Sequence, residues 1–188
     1  MHSVWTTAIR FTLITTVLLG LAYPLAMTGI AGAAFPHQAS GSLVLKDGRV
    51  IGSALLGQTF TSDRYFHSRT SAAGSGYDAT SSGGSNYAQS NQKLVQRIQG
   101  DIDKLAMRNP GKPVPIDLVT TSGSGLDPDI TPDAAYYQSN RIASTRHISE
   151  DTVNKLIAAH ITSRTLGLLG EPRVNVLQLN LDLDQLAQ

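Results

Sequence analysis

From Phe11 to Phe35 the chain reads FTLITTVLLGLAYPLAMTGIAGAAF, twenty-five residues without a charge. As a helix this stretch is roughly 37 Å long at about 1.5 Å per residue, enough to cross a hydrocarbon core of about 30 Å. Arg10 and the amino terminus lie on one side, and the first charge on the other is Lys46. By the positive-inside rule residues 1–10 form a short cytoplasmic amino terminus, 11–35 a transmembrane helix, and 36–188 an extracytoplasmic soluble domain. Trp5 and Tyr23 are candidates for the headgroup level. A second reading exists. Pro24 leaves a shorter apolar core, Phe11 to Tyr23, followed by Ala31-Gly32-Ala33, the layout of a secretory signal peptide with a small-residue cleavage site. The anchor reading rests on the apolarity that continues past Pro24 and on the tolerance of membrane helices for Pro and Gly. Both export the rest of the chain.

Beyond the apolar segment the pattern changes to short elements. SLVLKDGRVI (42–51) predicts a hairpin turning at Asp47-Gly48, where positive φ is required. Thr70 to Gln92 carries one charge, Asp78, among many Gly and Ser, and its composition predicts a flexible loop. Helical periodicity follows: Leu94, Val95, Ile98, Ile102, Leu105 and Ala106 share a face until Asn109-Pro110 stops the run. PVPIDLVTT (113–121) reads as extended, since each Pro drives its predecessor towards β geometry. Thr131-Pro132-Asp133 predicts a helix start with a capping hydroxyl, running to about Arg146, and Ser149-Glu150-Asp151 predicts another. At the end, Leu177, Leu179, Leu181 and Leu183 alternate with Gln178, Asn180, Asp182 and Asp184, a period of two that predicts a strand. Val174 and Val176 precede it on the opposite parity, which calls for two buried faces or a bulge. The elements follow no βαβ rhythm. The fold class expected is α+β, one amino-terminal transmembrane helix followed by a single mixed α/β soluble domain.

Composition narrows the chemistry. The 188 residues hold fifteen Lys and Arg against fourteen Asp and Glu, a net charge of +1, without the basic excess of a nucleic-acid binder. With Arg10 set aside, the segment from residue 36 onward is neutral. There is no cysteine, so disulfides, thiolate catalysis and Cys-ligated metals are excluded. The one Gly-Lys pair, Gly111-Lys112, is followed by Pro113, so there is no Walker A loop. A nucleophile elbow would need Gly at 122 and 126, where Ser and Leu stand. Five histidines, at 2, 37, 67, 147 and 160, include no pair at metal-ligand spacing, and His160 reads as a structural histidine. Asp127-Pro128-Asp129 reads as a turn in which Pro splays the carboxylates. Asp182 and Asp184, on one strand face, read as solvated charges, with a cation site as the sharper alternative. The glycine-dense run Ser81 to Asn86 is compatible with an anion cradle or a plain turn. No catalytic site and no metal site emerges.

Several blocks together carry a resemblance. They are Gln58 and Phe60 with Tyr65, Phe66 and Arg69; Tyr77-Asp78 with Ser82, Gly83, Gly84, Ser85 and Asn86; VPIDLVTTSGSGLDP (114–128), containing Asp117, Ser122, Gly123, Ser124, Gly125 and Asp127; Tyr137-Gln138 with Arg141; and GEPRVNVL (170–177), containing Asn175. In order and number these blocks resemble the C subunit of the bacterial Kdp potassium-transporting P-type ATPase, over nearly the whole chain. The resemblance implies a non-catalytic accessory subunit in the bacterial plasma membrane, with a retained single-pass helix in which Gly20, Gly29 and Gly32 favour close packing on partner helices. It implies two partners besides the bilayer, a P-type pump subunit that hydrolyses ATP and a channel-like potassium-translocating subunit. It also implies a role in assembly and in raising the pump subunit's affinity for ATP, with no tightly bound cofactor. Within that family a Ser-Gly-Gly stretch and a glutamine are likened to a nucleotide-binding signature, which carries over to Ser82, Gly83, Gly84 and Gln138. Position 85 is Ser, so the literal Leu-Ser-Gly-Gly-Gln is absent.

Topology and nucleotide conflict. A domain outside the membrane cannot touch cytoplasmic ATP, so an effect on ATP affinity has to pass through the membrane subunits. Capping the outer mouth of the channel-like subunit is a further expectation, with any cation attraction supplied by carboxylates such as Asp127 and Asp129. The alternative from a different class is a secreted or anchored binding module, or a small hydrolase, unrelated to ion pumping.

Overall fold

The computed structural model describes residues 2–186, which fall into two units joined near Ile51 and Gly52. The first unit is dominated by one continuous apolar helix, Ser3–Ala34, long enough to cross a membrane. It comprises α1 (His2–Val17), a π-turn (Leu18–Ala22) and α2 (Tyr23–Ala34). The π-turn has a local cause. Pro24 lacks an amide hydrogen and its ring would meet the carbonyl of Gly20 one turn back, so the helix widens just before it, with the Tyr23 N–H donating to the Leu18 carbonyl. Thr7 and Thr15 return their hydroxyls to the carbonyls of Ser3 and Phe11, so neither brings an unpaired hydroxyl to the helix surface. A short α3 (Pro36–Ala39) precedes the hairpin β1 (Leu43–Lys46) and β2 (Arg49–Ser53). Asp47 and Gly48 form its turn with φ of 52° and 74°, the left-handed pair that this sequence predicts.

The second unit holds the core. α4 (Gln92–Arg108), α5 (Pro132–Arg146) and α6 (Glu150–His160) begin at Asn91, Thr131 and Ser149, each of whose side chains accepts an amide of the first turn. A small antiparallel sheet orders β3 (Asp129–Ile130), β5 (Arg173–Asn175) and β4 (Ile161–Thr162), with Ile130 and Ile161 both opposite Val174. Around Val174 are buried Phe66, Ile142, Val153, Ile157, Leu179 and Leu183. The stretch 113–121, expected as extended, contains a 3-10 turn at Ile116–Leu118.

The final element corrects the sequence reading. Residues Val176–Gln185 form a helix, α7, and not a strand. Its buried positions are Val176, Leu177, Leu179, Asn180 and Leu183, the i, i+3, i+4, i+7 stripe of a helix with one added flank. Asn180 hides that period, because the residue that completes the stripe is polar. It is buried because its amide serves the extended backbone of Phe66 at both ends: Oδ1 accepts from the Phe66 N–H at 2.8 Å and Nδ2 donates to its carbonyl at 3.0 Å. Asn175 ends β5 and caps α7 through the Gln178 N–H, which resolves the parity change between Val174 and Leu177.

Candidate functional site

The sequence blocks converge on the segment Phe60 to Tyr77, which α5, α7 and two glycine loops hold from different sides. Gln138 on α5 is 5% exposed, and its amide is fully engaged. Its Oε1 accepts from the His67 N–H and from Arg141, each at 2.8 Å, while Nε2 donates to the carbonyls of His67 (3.1 Å) and Ala134 (3.2 Å). Gln138 and Asn180 therefore act as a pair of false strands, each completing the hydrogen bonding of one residue in the run Phe66-His67. Arg141 adds donations to the carbonyls of Asp63 and Tyr65. Arg146 reaches the Arg64 carbonyl (2.7 Å) and the Asp184 carboxylate (2.8 Å), and its guanidinium lies 5.0 Å from the centre of the Tyr65 ring. Tyr65 in turn donates to Asp184 and packs tilted against Phe60.

The second convergence is a clasp of two Ser/Gly loops. The Gly83 N–H and the Ser82 hydroxyl both donate to the Ser124 carbonyl, at 2.8 and 3.0 Å. Ser71 bridges the same region, donating to the Gly125 carbonyl at 2.6 Å and accepting from Ala73 and Tyr77. Gly125 sits at φ 68°, and a Cβ there would lie 2.7 Å from both the Ala73 nitrogen and the Gly83 oxygen. Gly84 faces the Gly123 carbonyl, and Ser122 and Ser124 close their own loop by accepting from Gly125 and Leu126. Asn86 leaves this loop in the left-handed region, φ 51°. The region expected to be a flexible loop is thus built, because small residues let two backbones approach and bond directly.

Charged groups fasten the clasp. Arg69 pairs with Asp127 (3.0 Å) and reaches Thr120 (3.3 Å), and the Tyr77 hydroxyl donates to the Arg69 carbonyl. Burial raises the Tyr77 pKa. Asp127 also accepts from the Asp129 N–H, forming the expected turn, while Asp129 meets Arg173 and Asn175. Burial, with Asp127 nearby, still raises the Asp129 carboxyl above the ordinary range. Buried Asp117 accepts the Thr131 N–H and hydroxyl, locking the start of α5. Gln58 lies against the backbone of Gly52, and Asn175 reaches the Ala54 carbonyl.

Three corrections follow for the carboxylates and the loop. Asp182 and Asp184 do not share a strand face: Asp182 pairs with His160 at 2.9 Å and Asp184 with Arg146. Asp127 and Asp129 carry cationic partners, which weakens their draw on a free cation. In the Ser81 to Asn86 run, the amides of Ser81 and Gly83 already have carbonyl partners. Ser82 to Gly84 and Gln138 share no hydrogen bond; they sit in separate assemblies. What pattern reading missed were Asn180, Arg146 and Asp63, whose partners are distant in sequence. Only the buried stripe of α7 could have pointed to the first of them.

A cleft of about 510 Å³ opens between α4 and α5 beside Gln138, with Lys104, Arg108 and Arg141 along it and Asp101 opposite in charge. Burial brings the Arg141 pKa down to about 10, so it stays charged at neutral pH. Burial first, then Arg141, lowers the pKa of His67. The His67 Nε2 lies 3.1 Å from the Ser62 carbonyl and not from a hydroxyl nucleophile. Among the described residues no group of three His, Asp or Glu side chains could hold a metal. The arrangement can fix backbones and present a surface; it holds no assembled nucleophile and base.

Comparison with known proteins places the sequence in a family. The sequence model of the family described as KdpC (K+-transporting ATPase, c chain) matches residues 5–185. A protein of Acidobacterium capsulatum is 59% identical over 181 residues, 96% of this chain and 97% of its own length. One from Methylobacterium nodulans is 55% identical over 184 residues, 92% of each chain, and one from Bradyrhizobium diazoefficiens 54% over 192 residues, 96% of each. All three are named potassium-transporting ATPase KdpC subunit.

Proposed function

Because the chain belongs to the K+-transporting ATPase c-chain family, we propose that it is the single-pass accessory subunit of an ATP-driven potassium uptake complex, acting by assembly and stabilisation. Its partners in this reading are the P-type pump subunit, the channel-like potassium subunit and the bilayer. Residues 11–35 span the membrane, 1–10 stay in the cytoplasm, and 36–188 lie outside, in keeping with Arg10 and the lack of charge before Lys46.

One observation carries the choice of assembly over nucleotide binding. The amide of Gln138, the hydroxyl of Ser82 and the N–H of Gly83 are spent on the protein's own backbone. For any of them to bind ATP, an internal hydrogen bond would have to be given up. We therefore read Ser82, Gly83, Gly84 and Gln138 as residues that hold the docking domain in shape. A rise in the pump subunit's ATP affinity then comes from the conformation this domain stabilises in its partners, across the membrane.

The experiment is an epitope tag after Gln188, exposed to protease in intact spheroplasts. Loss of the tag from an uncleaved, membrane-bound chain is expected. A tag digested only after lysis would reverse the topology and return Ser82 to Gly84 to consideration as a nucleotide site.

A further inference from the structure

α4 carries an apolar stripe at helical spacing, Leu94, Ile98, Ile102 and Leu105, yet none of its residues is fully buried. Polar ties fasten the helix instead. The Tyr137 hydroxyl of α5 donates to the Leu105 carbonyl, and the Asn109 amide donates to the Tyr137 carbonyl, each at 2.8 Å. Nearer the start of α4, Arg97 donates to the Val119 carbonyl at 3.1 Å. These ties fix α4 against its neighbours without filling the space beside it. What is left is the cleft of about 510 Å³ lined by Leu105, Met107, Leu118 and Tyr137. Sites for small organic ligands have this size and this character, an apolar wall with few polar groups.

The charges along the cleft do not balance. Lys104, Arg108 and Arg141 all line it. Asp63 alone answers the two arginines, 3.0 Å from Arg108 and 3.8 Å from Arg141. Lys104 is exposed and forms no ion pair among the described residues. Asp101, also in the wall, is taken by Arg97 at 3.1 Å. An apolar cavity with uncompensated cations, in an otherwise neutral domain, complements a ligand with an apolar body and a negative end. Asp101 limits how negative that end can be. A polyphosphate brings several charges against it, and a carboxylate brings one.

We propose that the cleft between α4 and α5 binds a small monocarboxylate with an apolar chain, its carboxylate held by Lys104 and Arg108 and its chain by Leu105, Met107, Leu118 and Tyr137. Filling the cleft supplies the packing that α4 lacks, so the ligand stabilises the second unit. The inference concerns that unit alone and does not depend on the subunit reading.

The test uses the full chain in neutral-detergent micelles with its methionine methyls labelled for NMR. Met107 lines the cleft, and Met27 lies in the apolar helix, where it reports anything that enters the micelle. Octanoate is expected to shift the Met107 signal to saturation without a matching change at Met27. Hexanoate should bind more weakly, by about two- to fourfold for each methylene removed. Lys104→Glu should weaken octanoate by about tenfold or more, with thermal unfolding within a few degrees of wild type because Lys104 is exposed. Octanamide, with the same body and no charge, should bind about tenfold more weakly than octanoate. A Met107 change that is absent, or that only keeps pace with Met27, would overturn the inference. So would equal binding of octanamide, or octanoate affinity unchanged in Lys104→Glu. Inorganic phosphate displacing octanoate at equal concentration would also overturn it, since the cleft would then recognise charge alone.

Discussion

Gln138 shows how fully a buried side chain can be used by the protein's own backbone. Its side chain mimics a peptide group, giving and taking one hydrogen bond with the backbone of His67, and its remaining contacts face Arg141 and Ala134. Replacing it by Leu keeps the volume and removes the amide, leaving the His67 N–H and carbonyl without these partners in a partly buried setting. The penalty for such orphaned groups is about 1–3 kcal/mol each, partly relieved by water through the neighbouring cleft, so a loss of about 2–4 kcal/mol is expected. Denaturant unfolding of Gln138→Leu measures it. A nucleotide ligand would instead leave stability nearly unchanged, so an unfolding midpoint equal to wild type would reject the structural role. Sequence reading singled this glutamine out yet could not assign its task, because the partner lies 71 residues away.

At the level of elements, local chemistry was legible and long-range exchange was not. Thr131 and Ser149 mark their helices because a cap depends on residues within one turn. The Asp47-Gly48 turn is equally local. The last helix misled for the opposite reason: buried Asn180 takes a core position to serve Phe66, 114 residues away, and the leucines left visible alternate like a strand. The same holds for residues 70–92, whose small side chains signal slackness until the matching loop at 122–125 is brought against them. Gly125→Ala tests that clasp. The substitution meets both a positive φ and two backbone atoms at 2.7 Å, so the loops have to part. The cost should exceed the ~1 kcal/mol of an unfavourable backbone alone and reach about 2–4 kcal/mol. Hydrogen exchange should show lost protection at the Gly83 amide, since the new methyl meets the Gly83 carbonyl and pushes that residue away from Ser124. Unchanged protection there would mean the clasp does not hold the two loops.

At the scale of the whole molecule, the division of labour between membrane and core is what makes an accessory subunit possible. Every buried hydrophobic residue lies beyond Gly52, among the described residues. The second unit has no cysteine and, among the described residues, no metal-holding cluster, so its stability comes from packing and from the buried amide and arginine contacts around Phe66 and His67. A fragment from Gly52 to Gln188 is therefore expected to fold alone and unfold in one cooperative step. Its calorimetric enthalpy should lie near the usual value of about 0.7 kcal/mol per residue at 60 °C. It should remain in solution with vesicles of anionic lipid, because it lacks the apolar helix, whereas the full chain should float with them through Ser3–Ala34. A fragment that unfolds without a heat-absorption peak would mean the core depends on the first unit.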